Sequence, residues 1–161
     1  MTPTSSAPAA SDLARRSWLR TLALAEPEAL AEAADPVLAE YRFEPLRAPE
    51  SGLMLLRARI GGDGDRFNLG EATVARCVLR HLAPDGHVTV GVGHVLGRDR
   101  DRVRRIAAMD ALLQRADLHA VLQQAVVQPL ARAIERREAE QAAQTEATRV
   151  RFFTLQSELA P

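Results

Sequence analysis

Between two segments of strand character lies the stretch Arg59-Ile60-Gly61-Gly62-Asp63-Gly64-Asp65-Arg66-Phe67-Asn68-Leu69-Gly70-Glu71, with four glycines, two arginines and three acids. Glycine reaches positive φ at little cost and lets backbone amides come close to a ligand. Successive amides in such a turn form an anion-binding concavity, and arginine adds bidentate reach to phosphate. The stretch is too long for a simple hairpin turn. Arg57 precedes it, Arg76 and Arg80 follow on the next strand, and Arg98 ends the one after. On neighbouring strands these guanidinium groups could converge on one anionic ligand. They equally fit the solvated face of an antiparallel sheet, each paired with an acid. Both readings stand on the sequence.

Other chemistries find less support. All 21 basic residues are arginine, so no Schiff-base or nucleophilic lysine exists, and the loop lacks the lysine of a P-loop. No Gly-x-Ser-x-Gly elbow or dinucleotide fingerprint is present. Cys77, the one cysteine, sits mid-strand among apolar neighbours and reads as a buried thiol. Alone it forms no intrachain disulfide and holds no iron–sulfur cluster. His81, His87, His94 and His119 show no metal-ligand spacing, so no metal site is expected. Asp110 lies on an apolar helix face and reads as a structural carboxylate paired with an arginine rather than a catalytic base.

The 161 residues, 47% hydrophobic with zero formal charge, suit one domain and disfavour a nucleic-acid binder driven by bulk charge. No apolar run approaches a membrane span, and the Thr/Ser/Ala/Pro-rich start is not a signal peptide. A cytoplasmic protein is expected, with residues 1–11 as a disordered tail and 12–161 as a single domain.

The elements that position these residues follow from pattern. Asp12 caps a first helix carrying Leu13, Trp18, Leu19 and Leu22, and Pro27 opens a second, giving an N-terminal helical hairpin. Residues 41–47 read as extended, 48–52 as a turn, and 53–60 as a strand with Arg57 and Arg59 on one face. Residues 72–82 alternate, with Val74, Arg76, Val78 and Arg80 opposite Thr73, Ala75, Cys77 and Leu79. Pro84-Asp85-Gly86 marks a hairpin into a strand at 87–96, whose glycines announce a close approach by another backbone or a ligand. Asp99 caps a helix; Pro129 kinks or splits a later one; 131–146 is strongly helical; 148–155 reads as a closing strand. The fold class is α+β: a mostly antiparallel sheet of four to five strands, with helices at both chain ends.

Taken together, these motifs resemble PhnG, a small subunit of the bacterial carbon–phosphorus lyase system. The resemblance rests on Arg16-Ser17-Trp18, the glycine loop with Arg66-Phe67 and Gly70-Glu71, Gly97-Arg98-Asp99, Asp110-Ala111-Leu112 with Gln114, Pro129-Leu130, and Thr148-Arg149-Val150 with Phe152-Phe153-Thr154. These segments stand in the family's order over nearly the whole chain. At the position where the family can carry a histidine after Gly-Arg-Asp, this chain has Arg102, so no role is carried over to it.

The resemblance implies a subunit of α-D-ribose 1-methylphosphonate 5-triphosphate synthase, inactive alone. Its expected partners are PhnI-, PhnH- and PhnJ-like subunits, two copies of each. The assembly would displace adenine from ATP with methylphosphonate, with the PhnI-like subunit as the catalytic one. ATP is then a substrate of the complex, and this chain holds no cofactor of its own. The candidate residues for phosphate contact or partner contact are Arg59, Gly61, Gly62, Gly64, Arg66 and Arg98. The alternative is a non-catalytic structural subunit that stabilises the PhnI-like partner.

Overall fold

The computed structural model describes residues 10–149. The elements run α1 (Ala10–Leu24), α2 (Pro27–Leu38), β1 (Glu44–Arg59), β2 (Arg66–Leu82), β3 (Val88–Leu96), α3 (Arg100–Leu113), α4 (Ala116–Leu122), a π-helical turn (Gln123–Val127) and α5 (Gln128–Ala147). This is an α+β arrangement with helices at both ends. Helix α1 starts two residues before Asp12, which therefore lies in the first turn rather than at the cap. Pro27 opens α2, and Pro36 is carried inside it.

The sheet among the described residues has three antiparallel strands in the order β1-β2-β3, not four to five. The segments at 41–47 and 53–60 merge into β1. The intervening Pro49 and Gly52 do not turn the chain; the strand absorbs its irregularities at register shifts between Pro45 and Arg47 and between Arg47 and Glu50. Proline is tolerated there because β1 is an edge strand. In the closing segment expected at 148–155, Thr148 and Arg149 end α5 instead, through Thr148 N–H to Glu146 and Thr145 carbonyls and Arg149 N–H to Glu146 carbonyl. The remainder of that segment, like the tail at 1–9, lies outside the described residues.

One face of the sheet is packed and the other is bare. Ala75, Cys77, Leu79 and His81 of β2 and Thr89, Gly91, Gly93 and Val95 of β3 are buried under α3, alongside Val103, Ile106 and Ala107. The glycines of β3 answer the expectation of a close approach. A Cβ on Gly91 would stand 1.9 Å from the Ala107 carbonyl oxygen, and one on Gly93 would stand 2.3 Å from that of Val103. The approaching group is the α3 backbone. Around this layer Trp18, Leu22, Leu30, Leu112, Val126 and Leu130 complete the core.

The first two strands outrun the third. Strand β3 pairs with β2 only from Leu82 to Val74, and Gly97 N–H adds one bond to the Thr73 carbonyl. Residues 53–59 and 66–72 continue as a two-stranded ribbon roughly 20 Å long. The register shifts between Leu56 and Arg57, where Leu69 is the extra residue of a bulge.

Candidate functional site

The glycine-rich stretch is the end of this ribbon. It is shorter as a loop than its composition suggested, because β2 resumes at Arg66 directly opposite Arg59. Residues 60–65 make the turn, closed by Gly64 N–H to the Ile60 carbonyl at 2.8 Å. Gly61 and Gly62 take φ of 60° and 88°, the left-handed region that side chains resist. A Cβ on Gly64 would lie 2.6 Å from the Ile60 carbonyl oxygen. The three glycines are thus required by the turn itself, and they carry the chain through a reversal at the far end of the arm.

The arginines divide into three groups. Arg57, Arg59 and Arg66 share one face of the ribbon end, where with Ala58 they line a depression of about 380 Å³. All three are exposed, and none pairs with a carboxylate among the described residues. Arg59 donates to the Gly64 carbonyl at 3.3 Å, which orients it toward the turn. Arg76 and Arg80 lie on the bare sheet face and fit the paired reading: Arg76 Nε donates to Glu50 at 2.7 Å, and Arg80 is bound by Glu44. Arg98 follows Gly97 (φ 102°) at the turn into α3, beside Thr73, at the other end of the ribbon from Arg66. The sequence grouped Arg98 with Arg59 and Arg66; the register separates it from them. It does bring Arg57 into the cluster.

A second constellation joins motif segments that are far apart in sequence. The buried Asp110 carboxylate accepts four hydrogen bonds: from Arg15 Nε (3.1 Å) and Nη2 (2.6 Å), from Trp18 Nε1 (2.9 Å) and from Val92 N–H (2.9 Å). Its hydrogen bond to Asp110 raises the Arg15 guanidinium above its ordinary pKa. Arg15 and Gln114 also donate to the Val90 carbonyl, at 3.1 and 2.8 Å. A buried carboxylate is tolerated only when paired and hydrogen-bonded, and this one is both. Its place is structural. It ties α1 and α3 to the outer edge of β3, occupying backbone groups that would otherwise accept another strand.

Other polar residues are likewise committed to the fold. Arg102 donates to the Ala23 and Ala25 carbonyls at 2.6 and 2.8 Å, satisfying the end of α1. Asp99 caps α3 through Arg102 N–H at 2.8 Å. Cys77 is buried, and desolvation pushes its thiol pKa up, which disfavours the thiolate. His119 Nδ1 meets the Leu113 carbonyl at 2.7 Å, and His81 Nδ1 meets that of Arg42 at 3.0 Å. Among the described residues no group of three or more His, Cys, Asp or Glu could hold a metal ion, and no helix is long and apolar enough to cross a membrane.

A three-stranded antiparallel sheet under helices, extended by an arginine-tipped ribbon, defines a small α+β protein whose exposed arm presents three arginines. The chain belongs to the PhnG family of phosphonate metabolism proteins, whose family model matches residues 13–157. It is also similar to a protein of Rhizobium meliloti (strain 1021) named alpha-D-ribose 1-methylphosphonate 5-triphosphate synthase subunit PhnG. The two are 40% identical over 141 residues, covering 88% of this chain and 87% of the relative.

Proposed function

We propose that this chain works as a subunit of α-D-ribose 1-methylphosphonate 5-triphosphate synthase in the cytoplasm, with PhnI-, PhnH- and PhnJ-like partners, and that its ribbon supplies phosphate contacts in trans. The observation that carries the proposal is the cluster of Arg57, Arg59 and Arg66 on one face at the end of an exposed arm, none of them in an ion pair among the described residues.

Displacing adenine from ATP with a phosphonate brings two anions together. The triphosphate charge must be neutralised, and the phosphonate oxygen must be held near the anomeric carbon. Guanidinium groups suit the first task because their planar forks match phosphate oxygens. An arm roughly 20 Å long delivers them beyond this chain's own surface. The departing adenine needs a proton or a hydrogen bond, and the two acids of the ribbon end, Asp63 and Asp65, are both exposed rather than held in a site. That role falls to the partner.

The test is adenine release from ATP plus methylphosphonate, using the purified partner subunits with and without this chain. Release that depends on the chain supports the proposal. Equal release without it refutes a role in the reaction.

A further inference from the structure

The sheet face turned away from α3 bears a run of exposed apolar side chains that nothing in the chain's own described fold covers. On β3 these are Val88, Val90 and Leu96, at 49%, 37% and 72% exposure; on β2, Leu82 at 64%. Val74 and Val78 sit between them, opposite Leu96 and Val92. The bulge at Leu69 keeps the run on one side as the ribbon leaves the body. Met54, Leu56, Ala58 and Phe67 continue it, with Met54 and Phe67 at 48% and 40% exposure. The charges on this face are already matched with one another: Glu50 with Arg76 and Arg47, and Glu44 with Arg80. A one-sided antiparallel sheet facing water alternates apolar-in with polar-out. Here much of the outward set is apolar as well.

We infer that this face is the docking surface for a different subunit of the synthase, one that presents an apolar sheet or helix layer and packs face-on. The inference rests on the synthase reading above and names where the partner sits. Two observations fix face-on packing. The β3 edge is sealed in its middle by Asp110, Arg15 and Gln114, and the β1 edge carries Pro45 and Pro49, so neither edge is suited to adding a strand. The face is also large enough. Three strands over the length of β3, plus the ribbon, offer about 700 Å² on this side, close to the ~800 Å² per partner of a standard stable interface. A partner seated there is continuous with the apolar side of the ribbon, whose other side carries Arg57, Arg59 and Arg66. The three arginines and two glutamates of this face leave one net positive charge among many apolar side chains, which suits an apolar partner surface better than a strongly acidic one.

Val88→Asp combined with Leu96→Asp places two charges on the face without touching the core side of the sheet. The expected result is a chain whose melting temperature stays within a few degrees of wild type but whose affinity for the partner subunits, read by native mass spectrometry, falls at least tenfold. Val121→Asp, on α4 and 64% exposed, serves as the control and should bind as wild type does. Hydroxyl-radical footprinting of the wild-type chain, free and assembled, needs no substitution, and Met54 and Phe67 should become protected on assembly. Wild-type binding by the double variant, or unchanged labelling of Met54 and Phe67, would overturn the inference. So would a dimer of this chain alone that the double variant dissolves while the synthase assembly persists. Adenine release that depends on the chain, together with wild-type assembly of the double variant, would leave the synthase reading standing and remove only this one.

Discussion

Arg59 stands directly opposite Arg66 on the last rung of the β1–β2 ribbon, and no carboxylate among the described residues lies between or beside them in an ion pair. Like charges directly opposite on a strand pair are destabilising. Two rungs of the bare face solve the same problem with Glu50–Arg76 and Glu44–Arg80 pairs. The fold therefore has the means to neutralise cross-strand arginines and does not use it at the ribbon end. That contrast supports the proposal that the Arg59–Arg66 rung meets an external anion.

Replacing Arg59 with Glu would convert the repulsive rung into an attractive pair. The expected gain is about 0.2–1 kcal/mol, a rise of roughly 1–3 °C in melting temperature. Adenine release by the assembled synthase should fall in the same variant. Thermal melts beside activity assays check the opposite signs; a variant that is destabilised yet fully active contradicts the assignment.

The turn glycines make a separate prediction. Gly61→Ala and Gly62→Ala force a side chain into the left-handed region and should each cost about 1–2 kcal/mol locally. Because the turn is exposed at the end of a two-stranded arm, the cost should appear as faster amide exchange confined to the ribbon, with little change in global melting. Exchange followed by mass spectrometry distinguishes this from global unfolding.

Asp110→Ala leaves the Arg15 guanidinium, Trp18 Nε1 and Val92 N–H without their shared acceptor. Removing one partner of a buried ion pair typically costs about 3–5 kcal/mol, so the melting temperature should drop by roughly 10 °C or more. Urea denaturation measures it. A loss below about 1 kcal/mol would show that the network holds the β3 edge only weakly.

Asp35 on α2 and Arg105 on α3 form a two-bond pair at 2.7 and 2.9 Å, and the hydrogen bond from Arg105 holds the Asp35 carboxyl below its ordinary pKa of 3.8. A lowered folded-state pKa adds stability above the unfolded value, and that stability is lost as pH falls through the folded value. The pair is exposed, so solvent keeps its contribution small. Carbon-detected titration should find Asp35 ionised below the pH at which free Asp half-protonates. Arg105→Ala should return it toward the ordinary value and remove the small stability that the pair adds above that pH.

Much of this was legible in the chain. The hairpin of α1 and α2, the faces of β2, the Asp99 cap and the close approach at Gly91 and Gly93 follow from helical spacing, alternation and the glycines' placement. Asp110 declared itself by lying on an apolar helix face, although its partners Arg15, Trp18 and Val92 come from tertiary packing that spacing does not encode. The merger of two segments into β1 was hidden because Pro49 and Gly52 are turn residues by local preference, and pairing with Arg76 and Val74 overrides that preference. The separation of Arg98 from Arg59 and Arg66 was hidden for a similar reason. The lengths of β2 and β3 differ, and sequence alternation does not reveal that one strand outruns its neighbour.

The most direct measurement is adenine release by a synthase assembled with the Arg59→Ala, Arg66→Ala double variant, with assembly verified by native mass spectrometry. Loss of transition-state charge stabilisation of this kind typically slows an enzyme on the order of 100-fold. The account predicts an intact assembly with a rate reduced by about that factor and a raised KM for ATP. An intact assembly that releases adenine at the wild-type rate would contradict it.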